Sequence, residues 1–346
     1  MKTIYIVDDN DINLAIAEQV LEDSYRVLTL DSAARMFAMI AKITPDLILL
    51  DIEMPVMNGF DALAELKRNP LTASIPVIFL TASTDSEIEA RGFAMGAVDF
   101  ISKPFSVPVL RNRLMTHLNI DEMIKKRTMH IEQLKNGIIS VIADIVEQRD
   151  KVTGGHIERT SAYLKILIDE MQKRGLYANE IKNWDINVVI SSAKLHDVGK
   201  IKITDLILNK PGKLTPEEFS EMRLHTTEGE DIIGQIVAQT GEEDFLAHAK
   251  LFAGCHHERW DGKGYPRALV GAEIPLQGRI MAIVDVYDAL ISARPYKPAF
   301  SHEDAVSIIE KESGTAFDPA LIDIFKDVKP LFAQTVKDAA LDFIHL

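Results

Sequence analysis

Residues 255–266 read Cys-His-His-Glu-Arg-Trp-Asp-Gly-Lys-Gly-Tyr-Pro, and this stretch indicates the architecture and chemistry of the second half of the chain. Two adjacent histidines precede a glycine-rich loop, and other candidate ligands lie on both sides of them. The candidate metal ligands are His156, His196, Asp197, His225, His256, His257 and Asp285. Five imidazoles and two carboxylates are too many for one ion and about right for two ions that share a carboxylate. Nitrogen and oxygen donors suit iron, manganese, zinc or nickel, and such paired ions commonly serve phosphodiester hydrolysis.

A second motif, His196-Asp197-Val198-Gly199-Lys200, follows an apolar run over residues 188–195 that predicts a buried helix. A single histidine is more often a satisfied core residue than a ligand. A charged carboxylate at the end of a buried helix needs a partner, however, and a metal ion would be that partner. The spacing of four residues predicts that His196 and Lys200 share one face of this helix.

The two motifs together resemble those of the HD-GYP family, bacterial phosphodiesterases of cyclic dinucleotides within the HD superfamily. The resemblance covers roughly residues 140–335, including Gly-Thr-Ala-Phe-Asp-Pro at 314–319, and it implies an all-α HD-type helical domain. It also implies two metal ions. One would be held by His156, His196, Asp197 and Asp285, and the other by Asp197, His225, His256 and His257, with Asp197 bridging.

The same resemblance implies the substrate contacts. Lys200 matches the family lysine that contacts the scissile phosphate, so Lys200 and Asp197 are the candidate catalytic residues. Arg294 and Lys297 match residues that bind the ligand's phosphates. The Gly-Tyr-Pro loop at 264–266 is expected to shape the substrate mouth or to contact a partner domain, rather than to be catalytic.

Four positions near the ligands qualify this assignment. Family members with three metals carry a glutamate where this chain has Val152, so two ions are expected, while Asp150 leaves a third ion open. Asp261 is expected to orient a ligand histidine through a hydrogen bond. Cys255 has apolar neighbours, which favour a packed thiol over a ligand.

The first third of the chain has a different pattern. Residues 3–7, 46–50 and 76–80 are continuous apolar runs, as expected for parallel strands that are covered on both faces. Amphipathic helical patterns such as 13–22 and 60–68 lie between the runs. Strands that alternate with helices predict a doubly wound α/β domain with a five-stranded parallel sheet.

Polar residues stand at the carboxyl ends of these predicted strands. Asp8 and Asp9 follow the first strand, Asp51 the third, Thr81 the fourth and Lys103 the fifth. Any one of these acids could instead cap a helix. Three carboxylates at one sheet edge would repel each other unless a divalent cation lay among them, and oxygen donors favour magnesium.

This pattern resembles the flavodoxin-like receiver domain of two-component response regulators. The resemblance implies that Asp51 accepts a phosphoryl group from a cognate sensor histidine kinase. It implies that magnesium is bound by Asp8, Asp9, Asp51 and the backbone carbonyl of Glu53. Thr81 and Lys103 would contact the phosphoryl group, and Phe100 occupies the aromatic switch position.

Residues 107–149 are predicted to form one long helix, because they contain no proline after Pro108 and a single glycine. Isoleucine recurs every seven residues at Ile124, Ile131, Ile138 and Ile145. This heptad pattern predicts a parallel coiled-coil homodimer, whereas packing on its own domain is the alternative, above all for 137–148. The chain is therefore divided into a receiver domain (1–118), a helical linker (119–140), an HD-GYP domain (141–335) and a tail (336–346).

Composition limits the function further. A length of 346 residues has room for two domains, and no apolar run is long enough to enter and cross a bilayer. One cysteine permits no internal disulfide, which suits the cytoplasm. A net charge of −14 argues against DNA binding.

The resemblances together imply a phosphorylation-controlled response regulator that hydrolyses cyclic di-GMP to pGpG, with further hydrolysis to GMP left open. Two alternatives remain at this point. A hydrolase of 3',3'-cyclic GMP-AMP would have the same metal ligands, and a sensor could bind a cyclic dinucleotide with little turnover. The sequence leaves open the native metal, the kinase and whether phosphorylation activates or inhibits.

Overall fold

The structure of the protein is a computed structural model that describes residues 1–82, 85–149, 155–241, 244–292 and 298–342. The chain forms two compact units, Met1–Glu132 and Gln133–Leu346. Each unit has its own hydrophobic core. No helix within the described residues has the length and apolar character needed to cross a membrane.

The first unit is built on a five-stranded parallel sheet, as the sequence predicts. The strands are β1 (Thr3–Val7), β2 (Arg26–Leu30), β3 (Leu47–Asp51), β4 (Val77–Thr81) and β5 (Asp99–Ser102), in the order β2-β1-β3-β4-β5. The helices between them are α1 (Asp11–Leu21), α2 (Ala33–Ile40), α3 (Gly59–Arg68) and α4 (Ser86–Ala94). All residues of β1, β3 and β4 are buried, because helices cover both faces of the sheet. The strand order reverses between β1 and β3, and that crevice is where doubly wound sheets bind ligands.

A single helix, α5 (Val107–Arg149), is 43 residues long and contributes to both units. Its first turns place Leu110, Leu114 and Leu118 in the core of the first unit. Its last turns bury Ile139 in the second unit, beside Leu195 and other apolar residues. The predicted heptad residues remain 51–62% exposed along the whole helix, at Ile124, Ile131, Ile138 and Ile145.

The second unit is helical, and its described residues contain no strand longer than an isolated bridge. Its helices are α6 (His156–Arg174), α7 (Ala178–Ile181), α8 (Ile186–Ala193), α9 (Asp205–Leu208), α10 (Pro216–Arg223), α11 (His225–Thr240), α12 (Asp244–Cys255), α13 (Leu276–Ile291), α14 (His302–Lys311) and α15 (Pro319–Asp342). Two short 3₁₀ helices, Val198–Lys202 and Gly271–Glu273, complete the unit. The all-α domain that the sequence predicts is therefore present.

A buried ion pair fixes α13 within this unit. The Arg279 guanidinium donates to Asp318 at 3.0 Å and to Glu180 at 2.9 Å, and Arg279 and Asp318 are both buried. Because each charge has a partner, burying the pair leaves no unsatisfied ion. The pair ties α13 to the residues that precede α15.

Candidate metal centre

The seven predicted ligands come from separate segments that meet in the second unit. His156 and His225 begin α6 and α11, and Asp285 lies within α13. The other four ligands lie in the turns after α8 and at the end of α12, at His196, Asp197, His256 and His257. Helix termini are suited to this arrangement, because the chain enters the site and leaves it again within one or two residues.

Two clusters of ligand atoms form there, and within each cluster the atoms lie within 4.8 Å of one another. The clusters are His156, His196 and Asp285, and His225, His256 and His257. Asp197 faces both. Its Oδ2 lies 3.4 Å from His196 Nε2, while its Oδ1 lies 3.5 Å from His225 Nε2 and 3.7 Å from His256 Nε2. One carboxylate is thus shared between two groups of donors.

Backbone carbonyls orient three of the histidines. The Nδ1 atoms of His196, His225 and His256 lie 2.9, 2.6 and 2.9 Å from the carbonyl oxygens of Ala193, Met222 and Phe252. A carbonyl oxygen can only accept, so each Nδ1 carries the proton and donates it. Each Nε2 is then a lone pair directed at the centre, which is the usual arrangement of metal-binding histidines.

The electrostatics of the clusters fit a pair of divalent cations. Among the described residues, His196 Nε2 and Asp197 Oδ1 are buried side-chain atoms without a hydrogen-bond partner. The Nε2 atoms of His225 and His256 lie 3.4 Å apart, close enough for both to bind one cation. Burial lowers the pKa of His225 to about 4 and moves the pKa of His257 well below its ordinary value. These imidazoles are neutral at pH 7, as ligands must be.

Lys200 lies beside the shared carboxylate. Burial opposes the charge on Asp197, but Lys200 and His196 outweigh it and hold the pKa of Asp197 well below its usual range. The Lys200 Nζ is 2.7 Å from Asp197 Oδ2. This region differs from the sequence prediction in one respect, since α8 ends at Ala193 and Lys200 lies in the 3₁₀ helix.

The predicted sharing of one helix face by His196 and Lys200 is therefore wrong. In a 3₁₀ helix, residues three apart are aligned, and the observed pair is Asp197 with Lys200. Tertiary packing explains the change. A Cβ at Gly199 would lie 1.9 Å from the carbonyl oxygen of His225, so only glycine lets this segment approach α11 so closely.

The clusters lie at the wall of a cavity of about 390 Å³. Three lysines line it, at Lys194, Lys200 and Lys210. Among the aromatic residues, Tyr265 of the Gly-Tyr-Pro loop lines it and places its ring 4.8 Å from that of His257. Four positions singled out in the sequence, Asp150, Val152, Arg294 and Lys297, lie outside the described residues.

The acidic residues of the first unit meet at the carboxyl edge of its sheet. The carboxylates of Asp8, Asp9 and Asp51 lie within 4.8 Å of one another. The Lys103 ammonium lies 2.6 Å from Asp8 and 2.7 Å from Asp51. Burial raises the pKa of Asp51 above its usual value, even though Lys103 opposes the shift and the backbone N–H of Glu53 also donates to the carboxylate.

Besides Lys103, the predicted switch residues are Thr81 and Phe100, which lie on the neighbouring strands β4 and β5. Thr81 ends β4 and is buried. Phe100 is also buried, with its ring 5.3 Å from that of Phe79 and 5.0 Å from that of Phe93. A Cβ on Gly92 would meet the Phe100 ring at 2.3 Å, so the glycine provides the space that this ring occupies.

Sequence models of two known families match the two halves of the chain. A sequence model of the response regulator receiver domain matches residues 4–115, and one of the HD domain matches residues 140–321. The chain is a response regulator with an HD-GYP domain. Membership of this family implies that the helical unit binds divalent metal.

Three curated relatives match this chain to different extents. The chain is 40% identical over 338 residues to a "Probable cyclic di-GMP phosphodiesterase" of Vibrio cholerae, an alignment that covers 93% of this chain and 77% of that protein. It is 36% identical to the "Cyclic di-GMP phosphodiesterase response regulator RpfG" of Xanthomonas campestris, over 80% of this chain and 74% of the relative. A "3'3'-cGAMP-specific phosphodiesterase 2" of Vibrio cholerae is 36% identical over 61% of this chain and 37% of its own length.

In this HD-GYP domain, sequence reasoning missed the residue that orients His156. Asp288 is buried, and its Oδ2 lies 2.8 Å from His156 Nδ1, while Arg159 donates to both of its oxygens at 2.7 and 2.8 Å. The available signal was the spacing of three residues between Asp285 and Asp288, which places both carboxylates on one face of α13.

The role expected of Asp261 is wrong. Its carboxylate accepts from the Arg259 side chain and from the Lys263 backbone N–H, rather than from a histidine. Glu258 shapes the loop instead, since its buried carboxylate accepts from the backbone N–H groups of Arg267 and Leu269. The loop is thereby held by its own residues.

Proposed function

We propose that this response regulator hydrolyses cyclic di-GMP to pGpG, and that phosphorylation of its receiver domain controls the reaction. One observation carries the proposal, namely two ligand clusters that share the Asp197 carboxylate at the wall of a cavity containing Lys200. A volume of about 390 Å³ is within the usual range of small-molecule sites, about 300–1,000 Å³.

Each ligand has a role in this proposal. One ion would be held by His156, His196, Asp197 and Asp285, and the other by Asp197, His225, His256 and His257. Iron or manganese is favoured by the nitrogen and oxygen donors, with zinc and nickel as alternatives. When bound, two such ions supply Lewis acidity and a nucleophile at neutral pH.

The protein's own cations bind the phosphates. The ammonium of Lys200 lies at the cavity, where it offsets negative charge on the scissile phosphate as that charge grows. By resemblance, Arg294 and Lys297 bind the second phosphate. Carbonyl contacts fix the histidine tautomers before substrate arrives, so this part of the site needs no reorganisation during the reaction.

The main alternative is a different cyclic dinucleotide. A hydrolase of 3',3'-cyclic GMP-AMP would use the same ligands, but two relatives named for cyclic di-GMP cover 93% and 80% of this chain, against 61% for the relative named for the mixed dinucleotide. A sensor without turnover is disfavoured by the presence of all seven ligands. The predicted end products remain pGpG first and GMP second.

The test uses the full chain purified without oxygen, with its metal content measured. Cyclic di-GMP, 3',3'-cyclic GMP-AMP and cyclic di-AMP are each supplied, and linear products are quantified. We expect fastest turnover of cyclic di-GMP. Asp197→Asn should abolish it, whereas Asp261→Asn, a matched change on the Gly-Tyr-Pro loop, should not. Preferred cleavage of the mixed dinucleotide, or binding without cleavage, would reject the assignment.

We assign control of the hydrolysis to the acidic site of the receiver domain. Asp51 accepts the phosphoryl group from a sensor histidine kinase, and Asp8, Asp9, Asp51 and the Glu53 carbonyl bind Mg²⁺. Beryllofluoride with Mg²⁺ imitates the phosphorylated state, so it should change turnover of wild type and leave Asp51→Asn unaffected. Equal responses of the two proteins would contradict receiver control.

The exposed heptad residues of α5 are proposed to pair with a second copy of the chain. Their apolar side chains recur every seven residues and remain exposed over four repeats, as a parallel coiled coil requires. Sedimentation should give a dimer for wild type and a monomer for Ile131→Glu. Asn136→Glu adds the same charge to the opposite face of α5 and should stay dimeric. For the Gly-Tyr-Pro loop, contact with a partner domain remains a prediction beside its place in the cavity wall.

A further inference from the structure

The last turn of α5 holds the 3₁₀ helix that carries Lys200. The Arg149 guanidinium donates to the carbonyl oxygens of Ile201 at 3.0 Å and Ile203 at 3.1 Å, and to the Asp205 carboxylate at 2.8 Å. A further contact of 3.4 Å reaches the carbonyl oxygen of Lys200 itself. The Ile201 and Ile203 carbonyls lie at the end of the 3₁₀ helix, where Arg149 supplies a donor, while the Lys200 carbonyl also accepts from the Ile203 backbone N–H at 3.0 Å.

Arginine suits this task better than lysine. Its planar fork can donate to several acceptors in fixed directions, whereas an ammonium group is a point charge on a flexible stem. A positive charge at a helix C-terminus also interacts favourably with the aligned peptide dipoles. Arg149 thus adds side-chain contacts to a backbone that the 3₁₀ hydrogen bonds and the packing of Gly199 against α11 also position.

Three other contacts link the last three turns of α5 to the metal centre. Glu147 accepts from the backbone N–H of the ligand residue His156 at 3.1 Å, and thereby caps the start of α6. Lys194 donates to Ser140 at 2.9 Å. Ile139 packs in one apolar cluster with Leu195, next to the ligand His196. The start of α6, which carries His156, and the residues just before His196 thus both contact α5.

We propose that Arg149 is a positioning residue for the hydrolysis, acting through the backbone of Lys200. The inference rests on the proposed function and specifies how that site is controlled. α5 is one continuous helix from Val107 to Arg149, so the residue that holds the catalytic segment belongs to the helix that begins in the receiver unit. Rotation or translation of this helix displaces the Lys200 ammonium relative to the substrate phosphate.

The first measurement needs no substrate. Amide hydrogen exchange over residues 198–205 should be about tenfold faster in Arg149→Ala than in wild type, since loss of the guanidinium frees these carbonyls to open. Arg174→Ala is the matched control, because it removes an arginine of α6 that pairs with Glu170 and Asp327 and does not line the cavity. Unchanged exchange over 198–205 in Arg149→Ala would overturn the proposal, whatever the substrate.

The second measurement is a double-mutant cycle with Lys200. Arg149→Ala should lower kcat about 10–10²-fold with little change in KM, as expected for a misplacement near 1 Å. In a Lys200→Ala background, Arg149→Ala should lower kcat by less than about threefold, because the ammonium group that Arg149 positions is already absent. Single-turnover assays with excess enzyme keep the slow variants measurable. Arg149→Lys should fall between wild type and Arg149→Ala.

The outcomes distinguish failure of the positioning role of Arg149 from failure of the proposed hydrolase function. An equal loss of kcat in both backgrounds would show that Arg149 supports the fold generally, and would overturn its action through Lys200. Wild type that cleaves no cyclic dinucleotide would refute the proposed function, and hydrogen exchange alone would then decide whether Arg149 positions the 3₁₀ helix. Faster exchange together with a non-additive cycle supports the proposal.

Discussion

The approach of the 3₁₀ helix to α11 makes Gly199 the most restrictive position in the site. An alanine Cβ there would lie 1.9 Å from the carbonyl oxygen of His225 and 2.5 Å from the backbone nitrogen of Gly229. Both neighbours are backbone atoms, so neither can turn aside. Because ordinary contact begins at 3.4 Å, Gly199→Ala has to separate the two segments by about 1.5 Å.

This displacement moves Asp197 and Lys200 away from His225. A misplacement of about 1 Å is enough to cost about 10²-fold in rate, so Gly199→Ala should lower kcat/KM by at least that factor. Overpacking of this kind also destabilises a fold by about 1–3 kcal/mol. The loss of activity should therefore exceed what partial unfolding explains.

Turnover of cyclic di-GMP, metal content and thermal unfolding are measured on the same preparations. Gly234→Ala is the matched control, since Gly234 lies in α11 with no atom near an added Cβ. It should gain about 0.5–1 kcal/mol of stability from helix propensity and keep its turnover. Gly199→Ala with kcat/KM within about threefold of wild type would refute the reasoning.

Three further variants test the centre itself. Asp197→Ala should lose metal from both clusters, because the two carboxylate oxygens of Asp197 face both clusters, whereas His156→Ala should lose metal chiefly from one. Near-full metal content in Asp197→Ala by elemental analysis would reject the shared carboxylate. Lys200→Ala should keep fold and metal but lose about 10²–10³ in kcat, and turnover near that of wild type would assign Lys200 to packing. Asp288→Asn should weaken metal binding about 10–100-fold in chelator competition, because the substitution removes the carboxylate that orients His156. An unchanged metal affinity would show that Asp288 has only a structural role.

Much of the fold was accessible from the sequence because its signals are local. The apolar runs at 3–7, 46–50 and 76–80 overlap β1, β3 and β4 almost residue for residue. The length of α5 was predictable because residues 107–149 show helical periodicity and contain no proline after Pro108. The candidate ligands were accessible for a similar reason, since four of them are adjacent pairs in motifs, and adjacency guarantees proximity without knowledge of the fold.

What the sequence did not provide are contacts between distant residues. Asp288 and His156 are 132 positions apart, and Arg149 and Ile201 are 52 apart, so no local pattern relates them. The 3₁₀ helix at Val198–Lys202 was missed for the same reason. Its geometry follows from close packing against α11, and the apolar run before it predicts only a helix.

The exposure of α5 shows how one helix can serve its own domain and a second chain together. Ile139, Ala143 and Val146 are buried in the second unit, while Ile138 and Ile145 remain exposed. Neighbouring positions point about 100° apart on a helix, so these sets form two separate apolar stripes. Pairing along the exposed stripe therefore requires no detachment from the domain. In the proposed dimer, rotation of α5 would also turn Glu147 and Arg149, and would thereby couple the pairing of the helices to the segments that carry His156 and Lys200.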